Sequence, residues 1–386
     1  MSENFYRQKY LKYKQKYLEL KGGKGIIYDL NNKIIKEKQP LYIKAGVMLQ
    51  KFASHNRLKK ITEGCIEKKY DLLTDDNKYK EHRELIKEYD IDKKLINCNE
   101  QKDVLKNILE KKDLSYDDLE KLNTLDLQKK CLTKYKSKNE FFIREKLGLP
   151  EINKEKINKH IVSAADAYCT MFENEAQSKE YWIKGKNFTI QNLLYGISNI
   201  DISTDKYLNE PKNVTIMRLA PGHYHRYHCP VTGTIESIYL LGNSFYSVQP
   251  YIVNSGIDVY TENKRCVVTI KYNTDKILKM IIVGATCVGS IEFNKKLYPD
   301  NTEKLELETS PDVNSKEPLK YNIRENVTFY QNEEFGNFNF GGSTILYVIN
   351  SNDVSRTKEG EIIFNHSINK DETSVEVGTK LFNIKQ

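Results

Sequence analysis

NVTIMRLAPGHYHRYHCPVTGTIESIYLL, residues 213–241, holds two runs rich in Val, Ile, Leu, Tyr and Thr, parted by Pro221-Gly222 and a cluster of three histidines. Runs of this kind, bounded by turn residues, read as β-strands over 213–220 and 234–241. Working outward, RCVVTIKY (265–272), KMIIVGAT (279–286) and STILYVI (343–349) have the same texture. From about residue 160 the chain is therefore expected to be β-rich. A polar stretch near Asp300 to Lys320, with Pro299, Pro311 and Pro318, reads as a loop or insertion.

The N-terminal part has a different composition. Tyr6, Tyr10, Tyr13, Tyr17 and Leu20 fall at steps of four, three, four and three, with lysines between them. That spacing predicts a basic amphipathic helix over 1–24, ended at Gly22-Gly23. Such a stripe packs on its own domain or a partner, or lies on an anionic membrane surface. Residues 25–138, rich in Leu, Ile, Lys, Glu and Asp, read as short helices without recognisable chemistry. The fold expected is α+β, a Lys-rich helical N-terminal region followed by a β-rich domain over 139–386. Residues 1–140 carry 33 Lys+Arg against 23 Asp+Glu and residues 141–386 carry 28 against 30, so the formal +8 of the 386-residue chain is entirely N-terminal.

Composition excludes several classes. The longest weakly charged apolar stretch, Met280 to Ile291, is too short for a spanning helix, which needs about 20 apolar residues. The basic N-terminus lacks the apolar region of a signal peptide. The seven cysteines form no CxxC pair, which points to reduced thiols and the cytosolic side of a membrane. Nucleic-acid binding ranks last, because the lysines are spread among acidic residues.

Three groups of residues carry candidate chemistry. His223, His225 and His228 lie within six residues; on an extended segment the first two would share a face and the third would oppose them. His-x-His is a metal-ligand spacing, but the next Glu is Glu236, so no metal site is assigned. Hydrogen bonding within a loop would be the plainer reading of one histidine but is weaker for three. In Phe340-Gly341-Gly342-Ser343, the Gly pair lets backbone approach closely and leaves Ser343 as a candidate nucleophile, although taken alone a plain strand-initiating turn is the better reading. Asp166, among small residues in VSAADAY, reads as a turn residue or as the acid of an Asp166, His225, Ser343 relay, since such sets are defined by geometry rather than order.

Several stretches resemble the phosphatidylserine decarboxylase proenzymes, pyruvoyl-dependent enzymes that cleave themselves. They are NEFFIREKL (139–147), IVSAADAY (161–168), YWIKGKNFTIQNLL (181–194), RLAPGHYHRYHCPVTGTIESI (218–238), SVQP (247–250), DVYTENKRCVVTI (258–270), VGATCVGSI (283–291) and EEFGNFNFGGSTILYVI (333–349). Residues 1–138 lie outside the resemblance. It implies that Asp166 and His225 activate Ser343, whose Oγ attacks the Gly342 carbonyl. An N-to-O acyl shift, β-elimination and hydrolysis would then leave a pyruvoyl group at residue 343. The products would be a β subunit of 1–342 and an α subunit of 343–386, 44 residues long.

The same resemblance implies that His228 protonates the carbanion left by CO2, that phosphatidylserine at an anionic membrane surface is the substrate, and that no metal is needed. A second copy of the chain is a candidate partner. Decarboxylation of a small aromatic amino acid, or an unprocessed lipid-binding protein, are the alternatives. The family commonly has Asp where His223 stands, Gly at Ala167 and Asn at Gln249, and His223 receives no role. The Lys/Tyr-rich start also resembles those of giant DNA virus proteins, so a peripheral protein on a cytosolic membrane face of a host cell is one expected setting.

Overall fold

The computed structural model describes residues 26–35, 37, 75–89, 132–133, 135–146, 148–155, 157–185, 187–196, 206–286, 290–308, 317–339 and 343–385. The basic helix expected over 1–24, and most of the helical reading of 25–138, lie outside these residues. What is described there includes one helix, Asp75–Tyr89, and two short strands, Ile27–Tyr28 and Ile34–Ile35.

Nine strands position the site: β1 (Ala167–Phe172), β2 (Lys212–Leu219), β3 (Arg226–His228), β4 (Gly233–Leu241), β5 (Arg265–Tyr272), β6 (Lys276–Val283), β7 (Glu334–Phe338), β8 (Ser343–Asn350) and β9 (Glu372–Val375). The central sheet runs β4-β5-β6-β8-β2-β1-β9, with every neighbouring pair antiparallel. Ile27–Tyr28 extends it in parallel alongside β9. The five expected strands are all present, with KMIIVGAT shifted: the strand begins at Lys276 and stops at Val283, before Gly284. The stretch near 300–320 is not wholly loop, because Glu306–Leu307 and Leu319–Asn322 pair at the sheet edge.

Alternation along the strands divides the apolar side chains between two cores. On β8, Ile345, Tyr347 and Ile349 join one cluster, while Leu346 and Val348 join the other. Leu278, Met280 and Ile282 of β6 follow the first set, and Ile281 and Val283 the second. The sheet is thus covered on both faces, which explains why its strands read as near-continuous apolar runs. One cover includes a small sheet of Ile291–Phe293, β7 and β3, contributing Phe293, Phe335, Phe338 and Tyr227. The other is built from the helices Ile190–Tyr195, Pro250–Val253 and Val259–Glu262 with the Trp182–Phe188 stretch.

Two features hold these layers in register. Arg265 is fully buried, and its guanidinium donates to the carbonyls of Leu193, Asn192, Thr261 and Asn263, at the ends of two covering helices. Burial lowers its pKa to about 9. In the small sheet, Gly336 passes so close to the Glu292 carbonyl and the Tyr227 hydroxyl that a Cβ would collide with both.

A candidate active site at the head of strand β8

Ser343 is the first residue of β8 and pairs with Leu219 at the end of β2. It is 0% exposed, and its Oγ has no hydrogen-bond partner among the described residues. A buried hydroxyl left unpaired is costly, so a native one calls for a functional explanation.

His225 lies beside that strand head. Its Nε2 donates to the carbonyl of Ala220, 3.0 Å away, and Ala220 directly follows the cross-strand partner of Ser343. Its own carbonyl accepts from Phe338 N at 2.9 Å. Phe338 and Ser343, on either side of residues 340–342, are thus both close to His225: the first bonds its carbonyl, and the second pairs with the residue before Ala220. A carbonyl can only accept, so the neutral ring carries its proton on Nε2 and keeps a lone pair on Nδ1. That Nδ1 is buried and unpartnered among the described residues. Burial, with smaller contributions from Arg144 and His223, holds the imidazole well below its ordinary pKa. A neutral base and an unbonded serine hydroxyl are the two groups that nucleophilic activation requires.

The short helix Lys138–Phe142 braces His225: the Phe142 ring stacks on the imidazole at 4.0 Å between centroids. Ser137 caps this helix by accepting from Glu140 N. Arg144, just beyond it, donates to the carbonyls of Gly222 and His223 and so ties the helix end to the histidine turn. Burial lowers the Arg144 pKa to about 10.

The other expected residues are near but differently engaged. Asp166 Oδ1 accepts from Val377 N at 3.0 Å, and Oδ2 accepts from Lys146 Nζ at 2.7 Å. His225 Nδ1 being unpartnered, no Asp166–His225 hydrogen bond is present among the described residues; in place of the relay expected from the sequence, Asp166 is ion-paired with Lys146. Lys146 also reaches Glu376 at 3.1 Å. His228 donates from Nδ1 to Asn332 O at 2.8 Å and accepts at Nε2 from the Tyr224 hydroxyl at 3.1 Å. Burial lowers its pKa as well. The expected alternation of the histidines holds only from Arg226 onward. Pro221-Gly222 forms a turn that brings His223 N onto the Ala220 carbonyl, and His223 Nδ1 accepts from Ala220 N. Burial pushes the His223 pKa down to about 4, against an opposing effect of Asp166.

Lys146, Phe142, Arg144 and Tyr224 were not singled out by sequence reasoning. Their only signal was membership in NEFFIREKL and the histidine motif. The buried serine hydroxyl also fits the pyruvoyl group that the resemblance implies, since that group is made from the serine itself.

The family profile described as phosphatidylserine decarboxylase matches residues 139–382. Phosphatidylserine decarboxylase proenzyme 2 of Komagataella phaffii is 31% identical over 251 residues, covering 65% of this chain and 22% of that protein. The protein of the same name from Oryza sativa is 33% identical over 259 residues, 67% of this chain and 36% of its own length. The Fusobacterium nucleatum phosphatidylserine decarboxylase proenzyme is 30% identical over 259 residues, 67% of this chain and 73% of the relative. The chain thus spans about a fifth to a third of the two eukaryotic relatives and most of the bacterial one. By its profile match, its motifs and the bacterial relative, the chain belongs to the phosphatidylserine decarboxylase family.

Proposed function

We propose that the protein is a self-processing decarboxylase that converts phosphatidylserine to phosphatidylethanolamine. The observation that carries this reading is that Ser343 Oγ and His225 Nδ1 are both buried and without a hydrogen-bond partner among the described residues, with His225 bonded to Ala220, the residue after the cross-strand partner of Ser343.

Self-processing would begin when His225 Nδ1 takes the Ser343 hydroxyl proton and Oγ attacks the Gly342 carbonyl carbon. The peptide C–N bond breaks, an ester forms, and the freed amine of residue 343 takes up the proton. Loss of the residue 343 α-proton, with departure of the Gly342 carboxylate, leaves a dehydroalanine. Its imine tautomer is hydrolysed with release of ammonia, giving the pyruvoyl end. When formed, that group supplies an electron sink for the carbanion left by CO2. Asp166 is the anionic member of the site, balancing Lys146 beside the histidine turn. We assign proton delivery in turnover to His228 together with the Tyr224 hydroxyl that donates to its Nε2. We place the protein at a membrane surface, because its substrate is a lipid; near-surface basic residues of the N-terminal region would each add about 1 kcal/mol on anionic lipid.

Purified protein incubated with phosphatidylserine vesicles should release CO2 and form phosphatidylethanolamine, and Ser343→Ala should abolish both. Turnover of a free aromatic amino acid in place of the lipid would contradict the substrate assignment.

A further inference from the structure

The polar network at Asn339 is unused by the chemistry above. Asn339 follows β7 and stands four residues before Ser343, at the root of the segment that carries the Gly342 carbonyl. It is 4% exposed. Its Oδ1 accepts from Asn139 Nδ2 at 3.0 Å and from Asn337 Nδ2 at 3.3 Å. Its Nδ2 donates to Glu292 Oε1 at 2.6 Å and to Ser290 Oγ. Both acceptor sites and both donor hydrogens of the amide are thereby filled, which leaves it a single orientation.

The partners come from separate parts of the chain. Asn139 is on the same short helix as Phe142, which stacks on His225. Ser290 immediately precedes the strand Ile291–Phe293, within the VGATCVGSI stretch, and Glu292 lies on that strand. One helix therefore braces the base through Phe142 and the root of the scissile segment through Asn139. We propose that Asn339 is a positioning residue for self-cleavage, setting where the Gly342 carbonyl meets Ser343 and His225. This rests on the reading of Gly342–Ser343 as the scissile bond. None of its hydrogen bonds goes to Ser343 or His225, so Asn339 acts as an anchor and not by contact with the reacting groups.

The test reverses the polarity of one bond. Asn339→Asp keeps the shape and still accepts from Asn139, but sets a second carboxylate against Glu292. Adding Glu292→Gln restores a donor–acceptor pair with the roles exchanged. Wild type, N339D, E292Q and N339D/E292Q are made by cell-free translation, and the appearance of the two fragments is timed on gels alongside thermal unfolding of purified protein.

We expect N339D to slow cleavage about tenfold or more, and the double variant to return to within about threefold of wild type. Turnover per cleaved molecule should stay near the wild-type value. N339D cleaving at the wild-type rate overturns the proposal. So does a double variant that regains thermal stability without regaining cleavage, because that is the signature of a purely structural role. If N339D does not fold, the double variant decides alone: folded and cleaved supports the proposal, folded and uncleaved overturns it. A wild-type chain that is not cut at Gly342–Ser343 refutes the reading beneath it, whereas a correctly cut wild type with an unaffected N339D refutes only the positioning role.

Discussion

Removing the ring that keeps His225 dry should change the pH dependence of self-cleavage as well as its rate. Phe142 is buried and stacks on the imidazole at 4.0 Å, at an interplanar angle of 27°. Truncation to alanine opens space beside the ring. For the fold, a buried Phe→Ala change costs about 3–5 kcal/mol. For the base, admitted water relieves the burial that holds its pKa well below 6.5. The sign follows directly: a base with a depressed pKa stays neutral, and active, as the pH drops through 6.5, while one returned to 6.5 does not. At about pH 6 a base titrating at about 6.5 is only about one quarter neutral. F142A cleavage should therefore fall to about a quarter of its own alkaline plateau, where wild type still runs near its plateau. F142L preserves most of the volume, so its acid limb should resemble wild type. Fragment formation timed on gels across a pH series, with folded fraction measured in parallel, reads this out. A wild-type limb centred at or above pH 6.5, or an F142A profile that merely scales down, would refute the assignment of a burial-depressed His225 as the base.

Other outcomes follow from the same geometry. His223, His225 and His228 all have folded pKa values below their ordinary one, so the unfolded chain binds more protons below about pH 6.5. Stability should fall with decreasing pH by up to about 1.4 kcal/mol per pH unit for each, as read by denaturant unfolding. Lys146→Met should cost about 3 kcal/mol by leaving the Asp166 carboxylate without its cation, and Lys146→Arg should recover much of that loss. Arg265→Met should lower the unfolding free energy by about 3–5 kcal/mol, because four carbonyls at two helix ends lose their donor. His228→Ala should leave cleavage largely intact while damaging turnover of phosphatidylserine, a split that gel and CO2-release assays on one preparation resolve.

Strand positions were legible because β2, β4, β5, β6 and β8 are apolar runs bounded by turn residues, and that local signal survives without knowledge of the neighbours. Their assembly was not legible. Ile27–Tyr28 joins the sheet by pairing with Glu372–Thr373, a contact between opposite ends of the chain that no local pattern encodes. The histidine motif marked the site, but strict alternation failed at Pro221-Gly222, where a turn replaces the strand. Asp166 was visible as an acid near small residues; its cation, Lys146, is twenty positions earlier and one of many lysines. Phe142 and Asn339 have no chemistry of their own, so only the folded arrangement reveals what they hold in place.

The central claim concerns one peptide bond, and intact mass spectrometry of freshly purified wild-type protein tests it most directly. The account predicts two chains, one ending at Gly342 and one comprising residues 343–386. The second should be lighter than its unmodified sequence by one ammonia and closed to N-terminal sequencing. A folded protein that persists as a single chain with Ser343 unmodified would contradict it.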